Sequence, residues 1–279
     1  MSTNVSSRAR AKKFDVIGWQ GRLGIRLFAY LMFLILLAPL VILIGASFAK
    51  QSYVEFPPTS FSLAGYRAFF SDPVFMRALL LSGEIAATAA IFATLIGFLA
   101  AYILVRKSFP GRSFVWGFLL SPLILPQIIF GVALLQFYTI LGFANSYIGL
   151  VIGHIVAVIP YVIRTVGASL LTIDPKIEEA AADLGASQIE ILVLIVAPVV
   201  RGGALAGALF AFIMSWVNVE ISIFISATGT YTLPVVLYNY IEYSVTTTLI
   251  AAASVGIYVA ILLVLVIDRF VGIHTATKL

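Results

Sequence analysis

Six stretches of this chain are predominantly apolar, and each is long enough to cross a bilayer as a helix, which takes about 20 residues. Hydrophobic residues make up 62% of the 279 positions and charged residues only 10%, whereas roughly a quarter of a soluble domain is charged. The runs are continuous rather than alternating, which argues against a transmembrane barrel. The sequence therefore predicts an all-α integral membrane protein. Its six spans are predicted near residues 27–48, 79–105, 114–140, 147–171, 200–224 and 246–268.

Lysine and arginine are distributed unevenly among the segments that join these runs. All of them lie in segments 1–26, 106–113, 164–201 and 269–279, except Lys50, Arg67 and Arg77. Basic segments stay on the cytoplasmic side, so both termini are predicted to be cytoplasmic. The net charge of +5 thus reflects membrane orientation and contact with lipid, and no nucleic-acid partner is expected.

The first apolar run is longer than the roughly 7–15 residues of a signal-peptide core, so it is interpreted as an uncleaved helix. The chain contains no cysteine, which excludes disulfides and thiolate metal sites. The predicted organisation is a tail (1–26), a first membrane helix (27–48), an outer loop (49–78), a membrane domain (79–268) with an inner loop (172–198), and a second tail (269–279).

The inner loop reads TIDPKIEEAAADLGASQIEILVLIVAP. Asp174 is a favourable N-cap, and Pro175 suits the first position of a helix. Gly185 can end that helix, and Ser187 with Glu190 forms a capping box for a second one. The loop is therefore predicted to be a helix, a sharp turn and a second short helix at the cytoplasmic surface.

The first of these helices is predicted to be amphipathic and slim, because three alanines occupy its middle. One face would carry Ile177, Ala181 and Leu184, and the polar positions would be Glu178, Glu179 and Asp183. Such a helix suits docking into a groove on a partner. A helix lying on the membrane surface would favour lysine and arginine on its polar face, whereas this face is acidic.

This segment resembles the EAA loop of ATP-binding-cassette (ABC) importer permeases, which has the pattern E-A-A-x3-G-x9-I-x-L-P. The matching residues are Glu179, Ala180, Ala181, Gly185, Ile195 and Pro198. Ala197 stands where the family has leucine.

The resemblance implies a permease subunit of the bacterial inner membrane. Its implied partners are two cytoplasmic ATPase subunits, a second and homologous permease, and a periplasmic substrate-binding protein. ATP and Mg²⁺ would bind to the ATPases, and no cofactor is expected on this chain, which lacks a phosphate-binding G-x-x-x-x-G-K-[ST] motif. The residues predicted to couple to the ATPase are Asp174, Glu178, Glu179, Ala180, Ala181, Asp183, Gly185 and Ala186.

Ionisable residues at membrane depth are costly and often functional. Glu220 lies at the outer end of the fifth run with Trp216 and Asn218, and the following segment brings Tyr238 and Glu242 to a similar level. Carboxylates beside aromatic faces attract cations, so these five residues are predicted to line the substrate pathway. The alternative is an interfacial aromatic belt with surface acids.

Two other ionisable residues of the spans are Glu84 and His154. Glu84 is either functional or a carboxylate near the outer interface, and His154 is expected to bond to a neighbouring helix. Gly203 and Gly207 form a G-x-x-x-G step that favours close helix packing.

The segments SPLILPQIIFGVALL and IEEAAADLGAS look most like the polyamine (spermidine/putrescine) branch of these permeases. A small organic cation is therefore the predicted cargo. That branch often carries adjacent acids after the serine of the fifth span, but Trp216 and Val217 follow Ser215 here. An opine, an aminophosphonate or ferric iron thus stays open as cargo.

Two other function classes compete with an ABC permease. A secondary transporter working without ATPases would show inverted repeats with broken helices, and no clear repeat is visible. A membrane enzyme needs a convergent nucleophile–base or metal set, and none is visible either.

Overall fold

A computed structural model describes residues 19–50, 56–227 and 229–271. Within these ranges the regular secondary structure is helical, apart from one isolated β-bridge between Ala49 and Phe61. The outermost parts of both predicted cytoplasmic tails lie outside the described residues. The helices are α1 (Trp19–Ala46), α2 (Ala64–Ser71), α3 (Pro73–Arg106), α4 (Arg112–Leu120), α5 (Gln127–Ile140), α6 (Tyr147–Leu171), α7 (Lys176–Asp183), α8 (Gln188–Glu190), α9 (Ala197–Trp216), α10 (Glu220–Ile225), α11 (Leu233–Ile241) and α12 (Thr247–Val271).

Five helical segments are long and apolar enough to cross a membrane. They are α1, α3, α6, the continuous segment from α8 to α9, and α12. The pair α4 and α5 gives a sixth crossing if it is counted as one bent span. The all-α membrane fold predicted from the apolar runs is confirmed.

The third predicted span (114–140) is not one straight helix. α4 ends in a short 3-10 turn, Ser121–Leu123, and α5 starts at Gln127 at an angle of 106° to it. Pro126 immediately precedes α5 with a ψ of 126°. A proline lacks the N–H that an unbroken helix needs and disfavours helical backbone at the residue before it. The third span is therefore broken before Gln127.

The fifth predicted span (200–224) is displaced and divided. The second short helix of the inner loop does not stand alone, because it continues through a π-turn, Ile191–Val196, into α9. The wider turn precedes Pro198, which has no N–H to continue the regular bonding pattern. At the other end the helix stops at Trp216, and α10 begins only at Glu220.

The core lies where α3, α6 and α9 pack against one another. A Cβ atom at Gly203 would lie 2.8 Å from the Thr165 carbonyl oxygen, and one at Gly207 would lie 2.9 Å from Cα of Val162. These distances leave no room for a side chain, so the predicted close packing of the G-x-x-x-G step is confirmed. A Cβ atom at Gly97 of α3 would meet Val162 as closely, at 2.8 Å.

Other helices lie around this core. α12 packs on α1, α2 and α9, and α11 packs on α3 and α12. In the most apolar part of α1, no residue is buried against the rest of the described chain. The bundle has a loop end, where α3 and α6 finish beside α7, and an opposite end, where α10 and α11 lie.

Candidate coupling and substrate-passage sites

Backbone and side-chain capping give α7 sharply defined ends. The Asp174 carboxylate accepts a hydrogen bond from the Lys176 N–H at 3.0 Å, although α7 begins one residue later than predicted. Gly185 has a φ of +91°. Its N–H donates to the Ala182 carbonyl at 2.9 Å, and the Ala186 N–H donates to the Ala181 carbonyl at 3.0 Å. This pair of bonds is a Schellman motif, and its left-handed position favours glycine.

The predicted capping box after this turn is present. The Ser187 N–H donates to Glu190 Oε2 at 2.7 Å, and the Glu190 N–H donates to Ser187 Oγ at 3.3 Å. Because this helix runs on into α9, the turn at Gly185 joins α7 directly to a membrane helix.

The inner face of α7 is held by a partly buried ion pair rather than by its larger apolar residues. Glu178 Oε1 lies 2.7 Å from Arg106 Nε, and the two side chains are only 12% and 9% exposed. Tyr102 donates its hydroxyl to Glu178 Oε2 at 2.9 Å, and Arg106 also donates to the Ile173 carbonyl at 3.2 Å. We call Glu178, Arg106 and Tyr102 the Glu178 cluster, and it fastens α7 to the last turn of α3.

The faces of α7 consequently differ from the prediction. Ala181 is buried, but Leu184 is 90% exposed and Ile177 is 51% exposed. Glu179, Ala180 and Asp183 are exposed as well. The prediction grouped Ile177 and Leu184 with Ala181 because they are all apolar, but a basic residue at the end of α3 draws Glu178 inward. The outer surface of α7 is therefore apolar and acidic together.

At the opposite end, the break between α9 and α10 separates Trp216 from Asn218 and Glu220. Trp216 is buried and stacks on Phe212, with ring centroids 5.9 Å apart. Cβ atoms at Gly83 and Gly256 would lie 3.9 and 3.8 Å from its ring, so it packs between α3 and α12. Trp216 therefore lies against α3 and α12, whereas Glu220 lies in α10, which packs on α5 and α6.

Glu220 begins α10, which is wedged between α5 and α6. A Cβ atom at Gly131 of α5 would lie 2.9 Å from the Glu220 carbonyl oxygen. The Asn218 side chain accepts a hydrogen bond from the Ile221 N–H at 2.9 Å, and so caps α10. The half-buried Glu220 carboxylate makes no hydrogen bond or ion pair within residues 19–50, 56–227 and 229–271.

Tyr238 and Glu242 lie at the end of α11, which packs on α3 and α12 rather than on the helices that hold α10. Both side chains are exposed. Among the described residues, no group of three or more His, Cys, Asp or Glu side chains is placed to hold a metal ion.

The family of this chain is shown by its similarity to known proteins. Residues 93–276 match the family described as binding-protein-dependent transport system inner membrane component. The chain is a permease subunit of an ABC importer. It is 31% identical to the spermidine/putrescine transport system permease protein PotC of Haemophilus influenzae, over 85% of this chain and 92% of that protein. It is 30% identical to the putrescine transport system permease protein PotI of Escherichia coli, over 80% and 81% of the two chains.

Solved structures share the fold of this permease. A bacterial ABC transporter that imports the acidic polysaccharide alginate matches with a TM-score of 0.69 and 17% identity, covering 91% of this chain and 98% of that one. The inward-facing MetNI methionine transporter matches with a TM-score of 0.59 and 20% identity, over 71% and 94%.

The permease also contains polar contacts that sequence reasoning missed or left undecided. Tyr147 donates its hydroxyl to Glu84 at 2.7 Å. Glu84, Arg77 and Tyr231 line a groove of about 710 Å³ at the opposite end.

The expectation that His154 bonds to a neighbouring helix is confirmed by its contacts with Ser215 and Ser222. The ion pair of Glu178 had one signal in the sequence, an arginine at the end of an apolar run facing an acidic loop.

Proposed function

We propose that this permease passes a small organic cation of the polyamine class. The observation that carries the proposal is the similarity to permeases named for spermidine and putrescine, which extends over most of both chains. The unpaired Glu220 supports it, because an isolated carboxylate at membrane depth is costly and an ammonium group would compensate its charge in transit.

We propose further that α7 docks on a cytoplasmic ATPase. A capped helix with an apolar and acidic outer face fits a groove on a partner. Leu184 is nine-tenths exposed, so its burial on docking would stabilise the contact by about 1.5–3 kcal/mol. In this proposal both termini are cytoplasmic, and ATP and Mg²⁺ bind to two copies of the ATPase rather than to this chain.

The rest of the complex is part of the same proposal. A second permease, homologous but not identical, forms the other half of the pathway, and a periplasmic binding protein delivers the cargo. A purified active complex holding two identical copies of this chain would contradict the heterodimer. Uptake by this chain without any ATPase would instead indicate a secondary transporter.

The cargo is tested by measuring spermidine and putrescine binding to the cognate binding protein, followed by ATP-dependent uptake into proteoliposomes that hold the whole complex. We expect micromolar or tighter binding, which corresponds to about 8 kcal/mol or more, and uptake that stops without ATP. Binding of an opine, an aminophosphonate or ferric iron, with no polyamine binding, would refute the cargo assignment and leave the ABC permease assignment intact.

A further inference from the structure

Three polar side chains form a chain of hydrogen bonds inside the apolar core between α6 and the break of the fifth helix. His154 is 1% exposed, Ser215 4% and Ser222 0%. His154 Nδ1 lies 2.7 Å from Ser215 Oγ, and Nε2 lies 3.0 Å from Ser222 Oγ. Buried polar groups are costly unless they are paired, and here each of the three pairs with another.

The directions of these bonds follow from the number of hydrogens available. Ser222 donates its single hydroxyl hydrogen to the Asn218 carbonyl at 3.1 Å. It must therefore accept from His154, so Nε2 carries the hydrogen and Nδ1 of the neutral ring accepts from Ser215. The order is Ser215 O–H to Nδ1, Nε2–H to Ser222 and Ser222 O–H to Asn218. Only one neutral tautomer satisfies every group.

Ser215 differs from other hydroxyl residues in the same bundle. Thr94 and Ser169 donate to the carbonyl four residues earlier in their own helices, at 2.6 and 3.1 Å. Ser215 makes no such bond in the described structure and instead reaches across to α6. Since hydroxyls in helices commonly bond within the helix, the contact with His154 replaces a local bond.

The chain of bonds spans the break. Ser215 lies in the last turn of α9, and Ser222 lies in α10. The Asn218 carbonyl belongs to the interruption and receives the Ser222 hydroxyl, while the Asn218 side chain caps the N–H of Ile221. A break at membrane depth requires such replacements for the lost backbone bonds.

We propose that His154 is a positioning residue of the substrate pathway. Through Ser215 and Ser222 it holds the interruption in the conformation that starts α10 at Glu220 and leaves the Glu220 carboxylate unpaired. The role in cargo passage rests on the proposed function, whereas the control of Glu220 exposure does not.

The exposure of position 220 is measured directly, because the chain has no cysteine of its own. The complete complex is reconstituted with Glu220→Cys, and the new cysteine is labelled with a membrane-impermeant trimethylammonium methanethiosulfonate. The subunits are then separated by size, so that only the label on this chain is counted. We expect Ser222→Ala and His154→Ala each to change the labelling rate by about tenfold, on the scale of a lost buried hydrogen bond. His154→Gln, which keeps an N–H donor for Ser222, is expected to restore part of the original rate.

Ser254→Ala is the matched control. Ser254 of α12 is also 0% exposed, but its hydroxyl has no hydrogen-bond partner in the described structure, so this variant should label at the original rate. Equal labelling rates in the Ser222→Ala and Ser254→Ala backgrounds would overturn the proposal, and this pair decides even if His154→Ala does not assemble.

Spermidine uptake is measured with Glu220 intact in the same four backgrounds. Slower uptake in the His154 and Ser222 variants, at unchanged ATPase content of the complex, supports a role in passage, and an unchanged rate overturns it. If the unsubstituted complex carries no spermidine while the labelling differences hold, the cargo assignment fails and the positioning of Glu220 stands.

Discussion

Two glutamates at opposite ends of this permease have opposite electrostatic situations. At the loop end, Glu178 is 12% exposed and is paired with Arg106 and Tyr102. At the opposite end, the half-buried Glu220 carboxylate has no partner in the described structure. A buried pair gains from its geometry and is damaged when one partner is lost. An unpaired carboxylate such as that of Glu220 can instead interact with a cation that moves past it.

The difference suggests a division of roles. The Glu178 cluster makes α7 part of the membrane bundle, so a movement of α7 reaches α3 through a short ionic contact. At residues 217–219, by contrast, the regular helix is interrupted, and α10 begins beyond the interruption with the unpaired carboxylate of Glu220. Neutralising Glu178 should therefore change stability and coupling, whereas neutralising Glu220 should change transport alone.

The largest effect is expected from Gly185→Val. Valine at a φ of +91° is strained by roughly 1–2 kcal/mol, and the turn that joins α7 to α9 would shift. We expect the rate of spermidine uptake to fall by about tenfold or more. A tenfold change corresponds to about 1.4 kcal/mol in the free energy of the docked conformation of the turn.

The matched control for Gly185 is Gly142→Val. Gly142 has a φ of +77° and ends α5 with the same pair of backbone bonds, but it is far from α7 in the sequence. This variant should carry the same strain and keep ATP hydrolysis coupled to uptake. Equal loss of coupling in both variants would show that strain, and not the position beside α7, is responsible.

The next largest effect concerns the ion pair. Arg106→Met leaves the partly buried Glu178 carboxylate without its cationic partner, and we expect a loss of up to about 3 kcal/mol in the free energy of unfolding. Adding Glu178→Leu should recover part of this loss, because both charges are then absent. Thermal unfolding in detergent measures the stability of the two single variants and of the double variant. If the loss in the double variant equals the sum of the two single losses, a direct interaction between Arg106 and Glu178 is contradicted.

A smaller effect is expected from Glu220→Gln. Spermidine uptake should fall about fivefold, as expected when roughly 1 kcal/mol of charge compensation is lost, with the unfolding temperature unchanged. Glu242→Gln at the end of α11 provides the comparison, and a smaller loss there would identify Glu220 as the principal acid. Uptake of spermidine by Glu220→Gln at the original rate would refute its role.

The smallest effect is expected from Tyr102→Phe, which removes one hydrogen bond to Glu178 and leaves the ion pair. We expect a loss of about 1 kcal/mol of stability, read from the same thermal unfolding. A loss as large as that of Arg106→Met would mean that the tyrosine, rather than the arginine, carries the contact.

The membrane fold and the ends of α7 were predictable, because apolar runs and capping residues act over short distances in the sequence. The Schellman turn at Gly185 and the capping box at Ser187 follow from local rules alone. The breaks before Gln127 and after Trp216 were less accessible: Pro126 signals the first, but no proline or glycine lies within 217–219.

The contacts that define the candidate sites depend on pairs far apart in the sequence. Arg106 and Glu178 are brought together only because α3 and α6 pack side by side and finish at the same end. Likewise, His154 could be expected to find a partner, but the identity of Ser215 and Ser222 depends on how α9 and α10 pack against α6. Sequence periodicity placed Ile177, Ala181 and Leu184 on one face of α7, but only Ala181 is buried. Periodicity does not reveal the arginine that draws Glu178 inward.

Cross-linking from two positions of α7 tests the contrast between its faces most directly. In the assembled complex, the cysteine-free chain receives a single cysteine at position 184 or at position 178, each modified with the same short photo-cross-linker. We expect position 184 to form a covalent adduct with the ATPase subunit and position 178 to react within the permease, mainly with α3. An ATPase adduct from position 178 with none from position 184 would contradict both the docking surface and the inward role of Glu178.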